Sequence, residues 1–368
     1  MKTGQRWLSL FLAVLLVMSM SVLTACSASD KEAADNPDIE GETTETAQTA
    51  DLVVPEELVG TTINIFSAYG GQEEIFSTFT EDTGIKVEYL DMSSGEVLAR
   101  LRAEKGDSVG EVWFGGGVDS FIAAKEDGLI EPYVSPFSDA VPAEFKDAEG
   151  YWTGVSLVTV CFVVNEEVAQ EKGLDIPQTW EDITSPAYKG EIAMSNPAIS
   201  GTAYTILTGI LQSMGEDAGW EFFAKIDNNI PFYSERGGEP PQKAALGEAI
   251  VGLAPGTGED LKAEGYPVVA VFPKDGTPWW PSPVAILSNA ENLGGAKVFV
   301  DWCLSPHGQE VLRDNDPRLP VRSDVEPPQA LIDAGIMEAD LQTIDFELMG
   351  QVRDDVVAKW EADFGSKK

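Results

Sequence analysis

The sequence predicts an α/β protein of two lobes followed by C-terminal helices. Three observations predict it. The 368 residues suit one large domain or two ordinary ones. Short apolar, β-branched runs alternate with amphipathic stretches, the pattern of a mainly parallel sheet covered by helices on both faces. Four strand ends run through a Ser- or Gly-rich loop straight into a helix: Ser67-Ala68-Tyr69-Gly70, Ser93-Ser94-Gly95, Gly115-Gly116-Gly117 and Ser200-Gly201-Thr202.

The first strand is Thr62-Ile63-Asn64-Ile65-Phe66, and residues 72–80 then set Ile75, Phe76 and Phe79 on one helical face. Lys86-Val87-Glu88-Tyr89-Leu90 is the second strand, followed by a helix over 96–105 carrying Val97, Leu98 and Leu101. Glu111-Val112-Trp113-Phe114 is the third, with Asp119 expected to cap a helix over 120–126. A long apolar strand over 155–164 opens a second series. There Thr179, with Asp182 three residues on, is close to a capping box. Glu191-Ile192-Ala193-Met194 is a short strand, 195–201 a loop and 202–214 a strong helix. Residues 249–254 and 268–272 are further strands, and Ser305-Pro306 opens a helix with an N-cap serine and a first-turn proline. No internal repeat and no second spanning segment occurs.

The N-terminus fixes an address. Lys2 and Arg6 precede an apolar stretch over 7–20, then Leu23-Thr24-Ala25-Cys26. A basic start, an apolar region and small residues before a cut describe a secretory signal. A signal anchor is the other reading of the apolar stretch, and the Leu-Thr-Ala-Cys ending decides against it. That ending resembles the bacterial lipobox, in which the cysteine receives a diacylglycerol, and two acyl chains anchor stably. We therefore expect a signal peptide over 1–25, lipidation at Cys26 and an extracytoplasmic, membrane-anchored protein. Residues 26–59, acidic and small, are expected to form a solvated tether. Cys161 and Cys303 could be oxidised in an extracytoplasmic chain, but both sit in core-like apolar patterns and read in preference as free buried thiols, their pairing left open.

Charge removes several classes. Lys and Arg number 24 against 62 Asp and Glu, a net charge of −38, so no basic excess exists to release counterions from nucleic acid. A single histidine, His307, argues against His-built zinc sites and against a triad with its own histidine. No Lys-Ser/Thr follows Gly115-Gly116-Gly117, so nucleotide hydrolysis is set aside. No cofactor is expected.

In open α/β sheets ligands sit outside the carboxyl ends of strands, where loop amides and helix N-termini favour an anionic group. The expected ligand-binding residues are therefore Ser67, Tyr69, Ser93, Ser94, Gly115, Gly116, Ser200, Gly201 and Thr202. Each such loop is also an ordinary βα turn with a capping residue. Arg236, in Tyr233-Ser234-Glu235-Arg236, offers a fork for phosphate or carboxylate. Trp279 and Trp280, between prolines, either wall a ring or cation or pack where the chain crosses between lobes.

With these features in hand, the chain resembles the extracytoplasmic solute-binding lipoproteins of bacterial ABC importers, in the cluster for ferric iron, phosphonate, sugar phosphate and thiamine. The resemblance rests on Asp82-Thr83-Gly84-Ile85-Lys86-Val87, Trp113-Phe114-Gly115-Gly116, Thr179-Trp180-Glu181-Asp182-Ile183, Tyr188-Lys189-Gly190-Glu191-Ile192, Asn196 to Tyr204 and Phe299 to Pro306. It implies a two-lobed periplasmic-binding-protein-like fold of type II, with two chain crossings and the ligand cleft between the lobes. Lobe one is expected over 60–160 plus 268–313 and lobe two over 161–267 plus 314–368, with crossings near 158–164 and 268–272. It further implies a non-enzymatic, monomeric carrier that hands a small solute to an ABC permease and ATPase. Iron-binding members use adjacent tyrosines, and no Tyr-Tyr pair occurs here. The donors favour a phosphate- or phosphonate-like head, with Tyr69, Tyr233, Glu259 and Asp260 the candidates for ferric iron as the alternative. A membrane-anchored hydrolase is the alternative of another class, but neither Ser67 nor Ser200 lies in Gly-x-Ser-x-Gly.

Overall fold

A computed structural model of the chain describes residues 51–105 and 109–367. The expected signal peptide and Cys26 lie outside the described residues. The strands are β1 (Thr62–Ser67), β2 (Lys86–Asp91), β3 (Val112–Phe114), β4 (Ile130–Glu131), β5 (Thr153–Asn165), β6 (Ile192–Ser195), β7 (Tyr233–Ser234), β8 (Val251–Pro255), β9 (Val268–Val271), β10 (Trp279–Leu287) and β11 (Leu319–Pro320). The helices are α1 (Gln72–Thr83), α2 (Ser94–Glu104), α3 (Val118–Glu126), α4 (Glu166–Lys172), α5 (Gly201–Met214), α6 (Glu216–Asp227) and α7 (Glu239–Ala245). They continue with α8 (Glu259–Ala263), α9 (Leu293–Leu304), α10 (Pro306–Asn315), α11 (Gln329–Asp333), α12 (Phe346–Gln351) and α13 (Arg353–Phe364).

The strands run β2-β1-β3-β10-β5-β8-β6-β7, with β4 added on β10 and both β9 and β11 on β5. The sheet is mixed, not mainly parallel. Within each lobe the helix-connected strands are parallel, β2-β1-β3 in one and β8-β6-β7 in the other. Every pairing of β5 and β10 is antiparallel. The reason is direction of entry. A strand that enters a lobe from the cleft runs against strands whose carboxyl ends form that cleft. β5 does so in lobe two and β10 in lobe one.

β5 joins the lobes. Its residues 153–159 pair with β10 and its residues 160–164 with β8. β9 pairs with the lobe-two half of β5, at Phe162 to Asn165, and β11 with the lobe-one half, at Ser156 and Leu157. On either side of β11, Leu312 and Val321 are buried in the same cluster as Phe76 and Phe299.

Lobe one packs around Phe76, Phe79, Phe114, Phe299 and Trp302, and Cys303 is buried among them. A second cluster spans the lobes, from Trp113 and Phe121 through Phe162 and Trp180 to Tyr204 and Trp360. Cys161 is buried and free, as read. Part of the expected tether is docked: Leu52, Val54 and Leu58 pack against the lobe-one core, because even three apolar side chains gain by leaving water. The capping-box hydrogen bonds form between Thr179 and Asp182, but only a single 3₁₀ turn follows. Asp119 does not cap α3. Gly117 holds that position, and Asp119 lies fully buried, its carboxylate on Arg353.

Candidate functional site: the cleft between the lobes

A cavity of about 690 Å³ lies between the lobes. Besides those of the short α7 and α8, the N-cap residues of four helices of nine or more residues line it: Gly71 of α1, Ser93 of α2, Gly117 of α3 and Ser200 of α5. First-turn amides have no intrahelical partner, and each N-terminus carries about half a positive charge. Four such ends around one space make a site for negative charge without a net cationic surface.

Local sequence places each end. Ser93 and Glu96 form a capping box, the Ser93 N–H donating to Glu96 Oε2 at 2.7 Å. Ser200 Oγ accepts the Ala203 N–H at 3.4 Å and the Ser195 hydroxyl at 2.9 Å. Gly116 has φ +104°, and a Cβ there would lie 2.6 Å from Ser94 Cβ. Only glycine serves at that turn. Ser94 lines the cavity, and its hydroxyl is buried with no hydrogen-bond partner among the described residues. An unpaired buried hydroxyl is costly unless a ligand completes it.

The lobes meet backbone to backbone behind the cavity. Gly95 N–H donates to Ile199 O at 2.9 Å across the seam. A Cβ on Gly201 would stand 2.6 Å from Gly117 Cα.

Two arginines reach the cavity. Arg236 bridges to Asp91 of the other lobe, Nη1 to the carboxylate at 2.6 Å and Nη2 to the carbonyl at 3.0 Å. The hydrogen bond to Asp91 raises the guanidinium's pKa. Arg318 lies with its guanidinium carbon 4.1 Å from the Tyr69 ring centroid and bridges to Asp316 at 2.7 Å. Burial pushes the Tyr69 phenol up, against the lowering effect of Arg318, and its O–H donates to Ser156 Oγ at 3.0 Å.

Of the expected residues, Tyr69, Ser93, Ser94, Gly116, Ser200, Gly201, Thr202, Arg236 and Trp280 line this one cavity. Four stand outside the lining. Ser67 is buried and donates to Gln72 Oε1, shaping the turn into α1. Gly115 backs the Tyr69 ring. Tyr233 donates to Asp227 at 2.7 Å and packs edge-on against Trp360. Trp279 is split from Trp280 by strand alternation. Trp280 donates to Gly116 O at 2.9 Å, whereas Trp279 donates to Gln342 O and packs on Phe145 and Phe346.

Sequence reading missed Gln72, Thr257, Glu239, Asp316 and Arg318, all on the cavity wall. Asp316 and Arg318 leave no local signature. The Gly70 N–H donates to Asp316 at 3.1 Å over a sequence separation of 246.

The family model for bacterial extracellular solute-binding proteins matches residues 116–344. The chain belongs to this family. AfuA, a periplasmic binding protein of Actinobacillus pleuropneumoniae solved with exogenous fructose 6-phosphate bound, is similar in structure, with a TM-score of 0.79 and 31% identity. The match covers 83% of this chain and 99% of that one. A probable ABC transporter periplasmic-binding protein of Sinorhizobium fredii is 27% identical over 66% of this chain and 69% of its own length. Iron uptake protein A1 of Synechocystis is 24% identical over 92% of both. The solute-binding family consists of extracellular or periplasmic carriers that capture small solutes for an ABC permease and its ATPase. Its type II fold is the two-lobed arrangement described above. Among the described residues no helix is long and apolar enough to cross a membrane.

Proposed function

We propose that this solute-binding protein captures a small solute through an anionic, phosphate- or phosphonate-like head, held in the cleft by the N-termini of α1, α2, α3 and α5. The convergence of those four helix ends on one cavity carries the reading. Ser94, Gly116, Ser200, Gly201 and Thr202 are the donors nearest the ends, and Trp280 closes one wall. The net charge of −38 repels anions at a distance, and screening limits that field to about 8 Å at physiological salt. On the wall itself Asp91 and Asp316 are paired with Arg236 and Arg318, and the head is held at the helix ends rather than beside Glu239, Glu259 and Asp260. Binding brings the lobes together as a hinge, with no bond made or broken in the solute. The chain passes back to lobe one between β9 and β10, and again to lobe two between β11 and α12.

The iron reading has less support. Ferric iron takes ionised oxygen ligands; the Tyr69 hydroxyl donates to Ser156 and its ring lies against the Arg318 guanidinium, a cation that repels the ion, while Tyr233 lies outside the cavity lining. Glu259 and Asp260 remain on the wall.

Thermal-shift screening tests the ligand. A solute at about 100 times its dissociation constant stabilises by about 2.7 kcal/mol. We expect shifts with phosphorylated or phosphonate compounds, lost in Ser200→Ala/Thr202→Ala, and none with ferric citrate. A shift confined to ferric salts, with tyrosinate-to-iron absorbance, overturns the anionic-head reading. Scattering should show compaction with any solute that binds.

The anchor is part of the same proposal: a monomer tethered through lipid on Cys26. Cys26→Ser is expected to release or mislocalise the protein with ligand affinity unchanged, checked by fractionation and calorimetry. Complete retention of the Cys26→Ser protein on membranes makes the uncleaved apolar segment the anchor instead.

A further inference from the structure

We propose that the two arginines of the cleft have separate tasks. Arg318 fixes the anionic head of the solute, and Arg236 is a latch that holds the lobes together without touching it. The inference rests on the anionic-head reading and assigns its principal cation to a residue of the C-terminal segment.

Arg318 is built to present a fixed fork. Its side chain is 14% exposed. One face lies on the Tyr69 ring, which is itself stacked on Phe114 at 4.5 Å and tied to Ser156 through its hydroxyl. One edge is held by Asp316, whose carboxylate is in turn held by the Gly70 N–H. The polar contacts of the guanidinium among the described residues are Asp316 and a long approach, 3.4 Å, to Ser282 Oγ. A guanidinium has five N–H donors, so an edge facing the cavity keeps donors to spend. Orientation by an aromatic plane and a carboxylate lowers the entropy lost on binding.

Arg236 differs on each count. Its side chain is 42% exposed, and both terminal nitrogens are taken by one residue of the opposite lobe, Asp91. That geometry joins the end of β2 to the turn before α7. It forms only when the lobes are close, and it leaves solute binding to the groups behind it.

Calorimetry and stopped-flow tryptophan fluorescence on the full chain test the division, with fructose 6-phosphate, 2-aminoethylphosphonate and inorganic phosphate as probes. Arg318→Ala should weaken the bound probe by about 100-fold or more, as expected for removing one partner of a buried charged contact. Arg318→Lys should recover only part, since it keeps charge without the fork, and its unliganded melting temperature separates binding from folding. Arg236→Ala and Asp91→Ala should each speed dissociation by the same factor, up to about fivefold, and the double variant by no more than either alone. Tighter binding in Asp91→Ala, with a deep loss in Arg236→Ala, overturns the latch, because Arg236 would then be freed onto the solute. If the wild type binds a probe and Arg318→Ala binds it equally, this inference falls alone. If the wild type binds none of the three, the anionic-head reading falls and takes this one with it.

Discussion

Replacing Arg353 with methionine is expected to destabilise the unliganded protein by about 3–5 kcal/mol, the cost of breaking a buried ion pair. Asp119 is fully buried on α3, and its partner Arg353 opens α13. Arg353 Nε lies 2.8 Å from Asp119 Oδ2, and its Nη2 donates to Ala198 O at 3.2 Å. Burial raises the Asp119 pKa, and Arg353 is the main influence holding it down. Without the guanidinium the folded state keeps Asp119 protonated. The sign of the pH effect follows. Asp119 then binds its proton more tightly folded than unfolded, so its contribution to stability falls as pH rises above the ordinary carboxylate range. The deficit of Arg353→Met should therefore shrink as pH is lowered from 7 to 5, by less than about 1.4 kcal/mol per unit, the slope of a whole proton, because burial raises the Asp119 pKa with Arg353 in place as well. Denaturation of wild type and variant at both pH values checks this. An equal deficit at the two, or one below about 1 kcal/mol, means that the ion pair does not hold α13 to α3.

Gly201→Ala is expected to weaken solute binding by about 100-fold while leaving the unliganded fold intact. The added Cβ meets Gly117 Cα and N at 2.6 Å, backbone atoms on the opposite lobe that cannot rotate away. Carbon atoms rest at about 3.5–4.0 Å, so the seam must open by about 1 Å. That withdraws the α5 N-terminus from those of α2 and α3 and lets water into the site, and misplacement of that size costs about 100-fold in well-ordered sites. Gly201 is the first residue of α5, outside the helix interior where the glycine-to-alanine gain applies, so the unliganded melting temperature should stay close to that of the wild type once the lobes part. Calorimetry with whichever probe the wild type binds, paired with melting curves, separates the two effects. Wild-type affinity in Gly201→Ala would show that the seam is not the closed state that binds.

The sequence alone determined most of the elements and much of the site. Ile75, Phe76 and Phe79 recur at helical spacing, and all three are buried on α1. The loops at Ser93, Gly116 and Ser200 were legible as strand-to-helix junctions because capping and turn chemistry are local, written within about four residues. Their convergence on one cavity was inferred from the strand-end rule, and it holds because parallel strands deliver their carboxyl ends to the same side.

Only the tertiary structure decided what depends on long-range partners. Asp119 looked like a cap, and a cap needs only its own helix. Its real partner stands 234 residues away, at the start of α13. Trp279 and Trp280 read by sequence either as a wall or as packing at the crossing, and the pairing of β10 with β5 turns them to opposite faces. Tyr233 offered a phenol to the site by sequence, and Asp227 and Trp360 claimed it. Arg318 and Asp316 carry no motif, and only the return of the C-terminal segment along β5 sets them beside Tyr69. Local hydrogen bonds and side-chain periodicity are encoded in neighbouring residues. Which buried charge meets which is set by how the lobes close on each other.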